Sequence, residues 1–203
     1  EHVGMTFAIC KMAESRDPET GEHLERMREY CRVIAMHLQQ KKKYRSVITD
    51  EYIEHIFVAS ALHDIGKIGV PDSILQKPDK LTSAEFEIMK THTTIGQKSL
   101  MEVDRLYPGN DFISMGVEIA ATHHEKWDGS GYPMGLKGTE IPLAGRILAL
   151  GDVYDALTSR RVYKEALSHE KSCSIIQRGR GSHFDPEIVD AFNATQSEFI
   201  KIK

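Results

Sequence analysis

The chain has 203 residues, 40% of them hydrophobic and 28% charged, a length and balance suited to one globular domain with a sizeable core. A formal net charge of −4 argues against broad nucleic-acid binding through a basic face, although a phosphate substrate stays open because bound cations reverse charge locally. No apolar run approaches the roughly 18 residues of a membrane span, and the odd, widely spaced Cys10, Cys31 and Cys173 read as reduced thiols of a cytoplasmic protein.

Apolar residues recur at three- and four-residue spacing along most of the chain, so the fold class expected is all-α, a single helical bundle over residues 1–203. Val3–Met12 carries the pattern first and reads, within residues 1–15, as the tail of a linker helix from an upstream regulatory domain. Asp17-Pro18 supplies an N-cap and a first-turn proline. Helices are predicted over Glu22–Lys43 and Glu51–Leu62, with stops at Gly66 and Gly69-Val70-Pro71. Thr82 and Glu85 form a capping-box pattern, and Pro108-Gly109 precedes a helix over Phe112–Glu125. The glycine-rich stretch Asp128–Gly138 is the one long irregular segment of the interior, a kind of loop that is commonly functional. Ser168 and Asp185-Pro186 open the last helices.

Ten histidines are present, and several stand in telling company: His23, His63-Asp64-x-x-Lys67, His92, His123-His124, then Asp152. The run Ala59-Ser60-Ala61-Leu62-His63-Asp64-Ile65-Gly66 ends an apolar helix on an ionisable pair. Burying that pair unpaired is costly, and metal coordination is one of few ways to offset the cost. Glu19 and His23 share a helix face if a helix begins at Pro18, as do His63 and Lys67 one turn apart. Adjacent ligands diverge by about 100° on a helix, so neighbours can reach different metals, or one carboxylate can bridge two. His23, His63, Asp64, His92, His123, His124 and Asp152 make enough donors for two metals, and Glu19 would support a third. An imidazole and carboxylate set without thiolate suits iron or manganese, with zinc, nickel or cobalt able to compete.

His63-Asp64-Ile65-Gly66-Lys67, His123-His124-Glu125 and Gly131-Tyr132-Pro133 together resemble the HD-GYP family of cyclic di-GMP phosphodiesterases, within the HD superfamily. Trp127-Asp128-Gly129 before the Gly-Tyr-Pro and Asp152–Thr158 after it extend the resemblance from about Arg16 to Ala191. The resemblance implies an all-helical domain with a di- or tri-metal centre on the eight positions named above, Glu19 being the extra ligand of three-metal members. It also implies that Lys67 lies near the scissile phosphate, that Tyr132 belongs to the signature loop, and that Arg161 and Lys164 hold the phosphates and bases of the substrate. The partners expected are cyclic di-GMP, which the resemblance implies, an upstream receiver or sensor domain, GGDEF-domain proteins and a second copy of the chain, with neither nucleic-acid polymer nor membrane insertion.

The reaction expected is metal-assisted hydrolysis of the 3′–5′ phosphodiester to pGpG, GMP or both. In it Asp64 organises the metals, and Lys67 stabilises developing negative charge or protonates the leaving oxygen. Two other readings compete: an HD phosphohydrolase acting on another nucleotide or phosphoester, and a non-catalytic cyclic di-GMP sensor. His2, His37, His55 and His169 read as solvated, and Asp155 is balanced between orienting a ligand and a plain surface role.

Overall fold

The computed structural model describes residues 2–16, 22–160 and 165–203, apart from the side chains of 2 and 3. Its α-helices are α1 (His2–Glu14), α2 (Glu22–Gln39), α3 (Asp50–Ala59), α4 (Asp72–Leu75), α5 (Ser83–Leu106), α6 (Asp111–Thr122), α7 (Leu143–Thr158), α8 (His169–Arg178), α9 (Pro186–Ala194) and α10 (Gln196–Ile202). Short 3-10 segments cover Ser60–Leu62, Ile65–Gly69 and Gly138–Glu140, and no strand occurs among the described residues. The all-α expectation holds.

Several helix starts follow the sequence signals. Thr82 and Glu85 form the reciprocal capping box, Ser168 accepts from the Lys171 amide, and Asp185 accepts from the Glu187 amide ahead of Pro186. Each such cap is worth about 1 kcal/mol. The Asp17-Pro18 start lies outside the described residues. The helix expected over Glu22–Lys43 stops at Gln39, because the chain then turns to bury Tyr44 and Ile48. Tyr44 donates to Glu187 Oε2 at 2.6 Å.

The main core lies between α2 and α7, with α3, α9 and α10 packed around them. Met27, Tyr30, Ile34 and Leu38 of α2 meet Ile147, Leu150 and Tyr154 of α7, Phe192 and Phe199. Tyr30 stacks on Phe199 at 4.5 Å and takes Tyr154 edge-on at 5.3 Å. A smaller core gathers Cys10 of α1, Leu24, Ala61, Leu62, Leu100, Ile113 and Ala120. All three cysteines are free thiols, and burial pushes Cys10 up to about 12, as expected of an inert thiol.

Two contacts bring distant segments to one place. A Cβ on Gly66 would run into the carbonyl oxygen of His92 and lie 2.5 Å from the Gly96 amide nitrogen, so only glycine lets the Ile65–Gly69 turn lie directly on α5. The Arg16 guanidinium, just past α1, donates to the Ile68 carbonyl at 2.7 Å, the Val70 carbonyl at 3.3 Å and Asp72 at 2.6 Å. It clasps the end of α1 to the turn that carries Lys67. No helix among the described residues is long and apolar enough to cross a membrane.

Candidate metal centre

Four histidines converge, each with one ring nitrogen already committed. His63 Nδ1 faces the Ser60 carbonyl at 2.8 Å, His92 Nδ1 the Met89 carbonyl at 2.7 Å, and His123 Nδ1 the Ile119 carbonyl at 3.0 Å. His23 Nδ1 lies 2.7 Å from Asp155 Oδ2. All four partners can only accept, so each Nδ1 carries a hydrogen and each Nε2 is the nitrogen left facing inward. The inward nitrogens meet in pairs, His23 with His63 at 3.4 Å and His92 with His123 at 3.5 Å. Donors held about 2.1 Å from one cation at a tetrahedral angle stand roughly 3.4 Å apart. Facing lone pairs at that spacing repel unless a positive charge lies between them.

Asp64 stands between the two pairs. Its Oδ2 lies 3.3 Å from His63 Nε2, while Oδ1 lies 3.3 Å from His92 Nε2 and 3.6 Å from His123 Nε2. Oδ1 is fully buried and has no hydrogen-bond partner. Lys67 Nζ approaches Oδ2 at 2.8 Å. Burial alone would raise the Asp64 pKa, but Lys67, then His63 and His123, outweigh it and hold the carboxyl well below its usual range. Asp64, His92, His123 and His124 can offer ligand atoms that all lie within 4.8 Å of one another. A second group, Glu14, His23 and His63, meets the same limit. Asp152, on α7, brings Oδ1 to 3.9 Å from His23 Nε2.

The pKa directions agree with a cation site. Burial lowers His92 to about 4 and sends His124 well below its usual value, so both keep free lone pairs at neutral pH. Burial would also lower His63, yet Asp64, then Asp152 and Glu14, push it up to about 10. Orphaned carboxylate oxygens, on Asp64 here and on Glu14 Oε2 in the other group, together with inward lone pairs, fit divalent metal ions well.

A second layer holds these ligands. Asp155 accepts from His23 and also from Arg26 Nε at 2.6 Å and Nη2 at 3.0 Å. The sequence left its role balanced; it orients His23. Glu125, 2% exposed, accepts from the amides of Met134, Gly135 and Leu136 at 2.7, 3.1 and 3.1 Å. It thereby pins the glycine-rich loop against the histidines. A Cβ on Gly131 would strike the Lys126 amide nitrogen and lie 2.5 Å from Glu125 Cα, so this close return of the loop needs glycine. Tyr132 then stacks on His124, with ring centroids 4.8 Å apart, and Lys90 Nζ lies 5.4 Å from the centre of the Tyr132 ring.

Of the residues expected at the site, His23, His63, Asp64, His92, His123, His124, Asp152, Lys67 and Tyr132 come together. Glu19, Arg161 and Lys164 lie outside the described residues. The local geometry differs from expectation at one point: His63 and Lys67 do not share an α-helical face. The chain leaves α3 at Ala59 for 3-10 turns, where residues three apart align, so Lys67 pairs with Asp64 instead. His169 is likewise no solvated surface group, since its Nδ1 lies 2.8 Å from the Tyr154 hydroxyl. Sequence reasoning missed Glu14, Arg26 and the anchoring role of Glu125.

The HD domain family model matches residues 8–188. Over 98% of its length the chain is 52% identical to a probable cyclic di-GMP phosphodiesterase of Vibrio cholerae serotype O1, covering 45% of that protein. Over 96% of its length it is 49% identical to a cyclic di-GMP phosphodiesterase of the same organism, covering 40% of it. It thus spans less than half the length of these curated relatives. The crystal structure of a cyclic GMP-AMP-specific phosphodiesterase of V. cholerae matches with a TM-score of 0.63, over 98% of this chain and 50% of that one, at 19% identity, a likeness of fold. With the His-Asp pair, the paired histidines and the Gly-Tyr-Pro loop in one place, the chain belongs to the HD domain family, in its HD-GYP branch.

Proposed function

We propose that this chain is a metal-dependent phosphodiesterase that hydrolyses the 3′–5′ phosphodiester of cyclic di-GMP, giving pGpG, GMP or both. The observation that carries the reading is Asp64, a buried carboxylate with one oxygen toward each histidine pair. The names of the relatives, at about half identity over nearly the whole chain, support the choice of substrate.

In this reading His23, His63, Asp64, His92, His123, His124 and Asp152 hold two divalent cations, iron or manganese on such a donor set, with zinc, nickel or cobalt as competitors. Glu19 is kept as the ligand of a third. Bound, the cations supply a water of lowered pKa and draw charge from the phosphate oxygens. The residues of the chain do the rest. Asp64 keeps the two halves of the centre in register. Lys67, whose Nζ lies 2.8 Å from Asp64, is a point charge beside the reacting phosphate and stabilises the departing 3′ oxygen. Tyr132, braced on His124, offers an aromatic wall for a guanine base. Arg161 and Lys164 fork onto and attract the phosphates. Such an enzyme meets its substrate in the cytoplasm, with an upstream receiver or sensor domain, GGDEF-domain proteins and a second copy of the chain as its partners.

Anaerobic purification with metal quantification, followed by chromatography of the products from cyclic di-GMP, tests the reading. Hydrolysis should vanish in Asp64→Ala and after chelation. Unchanged turnover after either treatment would overturn it, and tight nucleotide binding without product at any metal loading would favour the sensor instead.

A further inference from the structure

The last residue of α1 is an acidic side chain on a buried face. Cys10, Ala13 and Glu14 are buried while Met5, Ile9 and Met12 are exposed, so α1 turns a carboxylate inward along with its small apolar residues. Glu14 is 7% exposed, and its Oε2 has no hydrogen-bond partner. Arg16 fixes where that side chain arrives, because its three hydrogen bonds tie the end of α1 to residues 68–72. Glu14 thereby meets His23 and His63, with one ligand atom of each within 4.8 Å of the others. The two imidazole nitrogens that face each other are 3.4 Å apart. Burial pushes the Glu14 carboxyl up to about 7, and metal coordination is one of few ways to offset the cost of keeping it ionised there.

We infer that Glu14 donates a carboxylate oxygen to the cation held by His23 and His63. The inference rests on the metal-centre reading above and not on the choice of substrate. It assigns a ligand to a residue that neither the His-Asp motif nor the Gly-Tyr-Pro loop contains. It also makes the linker-like helix α1 part of the centre, so that displacement of α1 would remove a donor.

The test compares wild type with Glu14→Gln, both stripped of metal and then titrated with Mn2+. Bound metal is counted by elemental analysis, and melting temperature is read with and without Mn2+. Glu14→Gln should lose one equivalent, or bind it at least tenfold more weakly, and show a smaller metal-induced rise in melting temperature. Its metal-free form should melt no lower than wild type, since the group removed has an orphaned oxygen there. Wild-type stoichiometry and affinity in Glu14→Gln overturn the inference, whatever the melting temperature. Should Glu14→Gln fail to fold, Glu19→Gln protein carrying 13C-labelled glutamate carboxyls decides by infrared difference spectroscopy. A glutamate carboxyl band that shifts on adding Mn2+, and still shifts when Glu51 of the exposed Glu51–His55–Asp111 group is also replaced by Gln, supports Glu14 as donor, and an unchanged spectrum overturns it. A wild-type chain that takes up no Mn2+ removes the metal centre altogether, a result distinct from the loss of Glu14 alone.

Discussion

Asp155→Asn asks whether His23 is a ligand because of what stands behind it. Asp155 accepts from His23 at 2.7 Å and from Arg26 at 2.6 and 3.0 Å. An asparagine offers one oxygen and one NH2 to those partners. Arg26 can only donate, so it keeps the oxygen, and the NH2 is left facing His23 Nδ1. That nitrogen must then accept, which moves the ring hydrogen to Nε2, the atom that faces His63 at 3.4 Å. Loss of such an outer partner costs about 10- to 100-fold in metal affinity, or ~1.4–2.7 kcal/mol. A second cost falls on the metal-free fold. Burial alone would raise the Asp155 pKa, but His23 and Arg26 bring it from 3.8 down to about 2. A depressed carboxylate stabilises above its unfolded pKa and loses that contribution as pH falls through the folded one, so the effect is fully present at neutral pH and is worth ~2 kcal/mol. Calorimetric Mn2+ titration and urea unfolding at pH 7 measure both quantities. Metal affinity within twofold of wild type would refute the orienting role of Asp155.

Three further outcomes are expected. Glu125→Ala strands three loop amides that now bond one buried carboxylate; it should cost roughly 2 kcal/mol or more in unfolding free energy and expose the Tyr132 loop to limited proteolysis, and an unchanged digestion pattern would count against the anchor. Lys67→Met should lower kcat by about 100-fold or more while metal content stays at the wild-type level, and a variant that loses metal instead would make Lys67 a support for Asp64 alone. Loading metal at pH 7.5 should release about one proton, because His63, raised to about 10, is protonated in the metal-free chain. That proton's stabilising contribution is complete below the unfolded histidine pKa and fades as pH rises through 10. Binding heats that do not depend on the ionisation enthalpy of the buffer would exclude the release.

Much of the centre was legible because ionisable residues at the ends of apolar helices have few structural uses. His63-Asp64 closes a helix of Ile, Val, Ala and Leu, and His123-His124 closes another, so their convergence could be anticipated from helix ends pointing inward. What escaped reading did so for definable reasons. Glu14 sits in a segment whose apolar pattern suggested a linker; the available signal was its four-residue spacing from Cys10, which puts a carboxylate on the apolar face. Lys67 was assigned to the face of His63 on α-helical spacing, whereas the 3-10 turn advances about 120° per residue and aligns it with Asp64. Arg26, three residues after His23, had the spacing of a same-face partner, but nothing in the sequence tied α2 to Asp155 on α7. Glu125 stood inside the recognised motif, yet its bonds run to amides nine to eleven residues on, and backbone partners leave no compositional trace.

The four inward histidines are held in two different ways, and the difference sets His23 apart from the other three. His63, His92 and His123 give their Nδ1 hydrogens to carbonyls three or four residues earlier in the chain, so helix geometry itself sets their tautomers, and no single substitution of a side chain can release them. His23 instead turns its Nδ1 to the Asp155 carboxylate, and Asp155 is held in turn by Arg26. The His92–His123 half is therefore buffered by the main chain. The half with Glu14 and His23 rests on side chains contributed by α1, α2 and α7. Substitutions outside the ligand set should weaken the second half well before the first, and motion of α1 or α7 should act on the centre through that half alone. Asp64, with one oxygen toward each half, is the residue through which a change in one would be felt in the other.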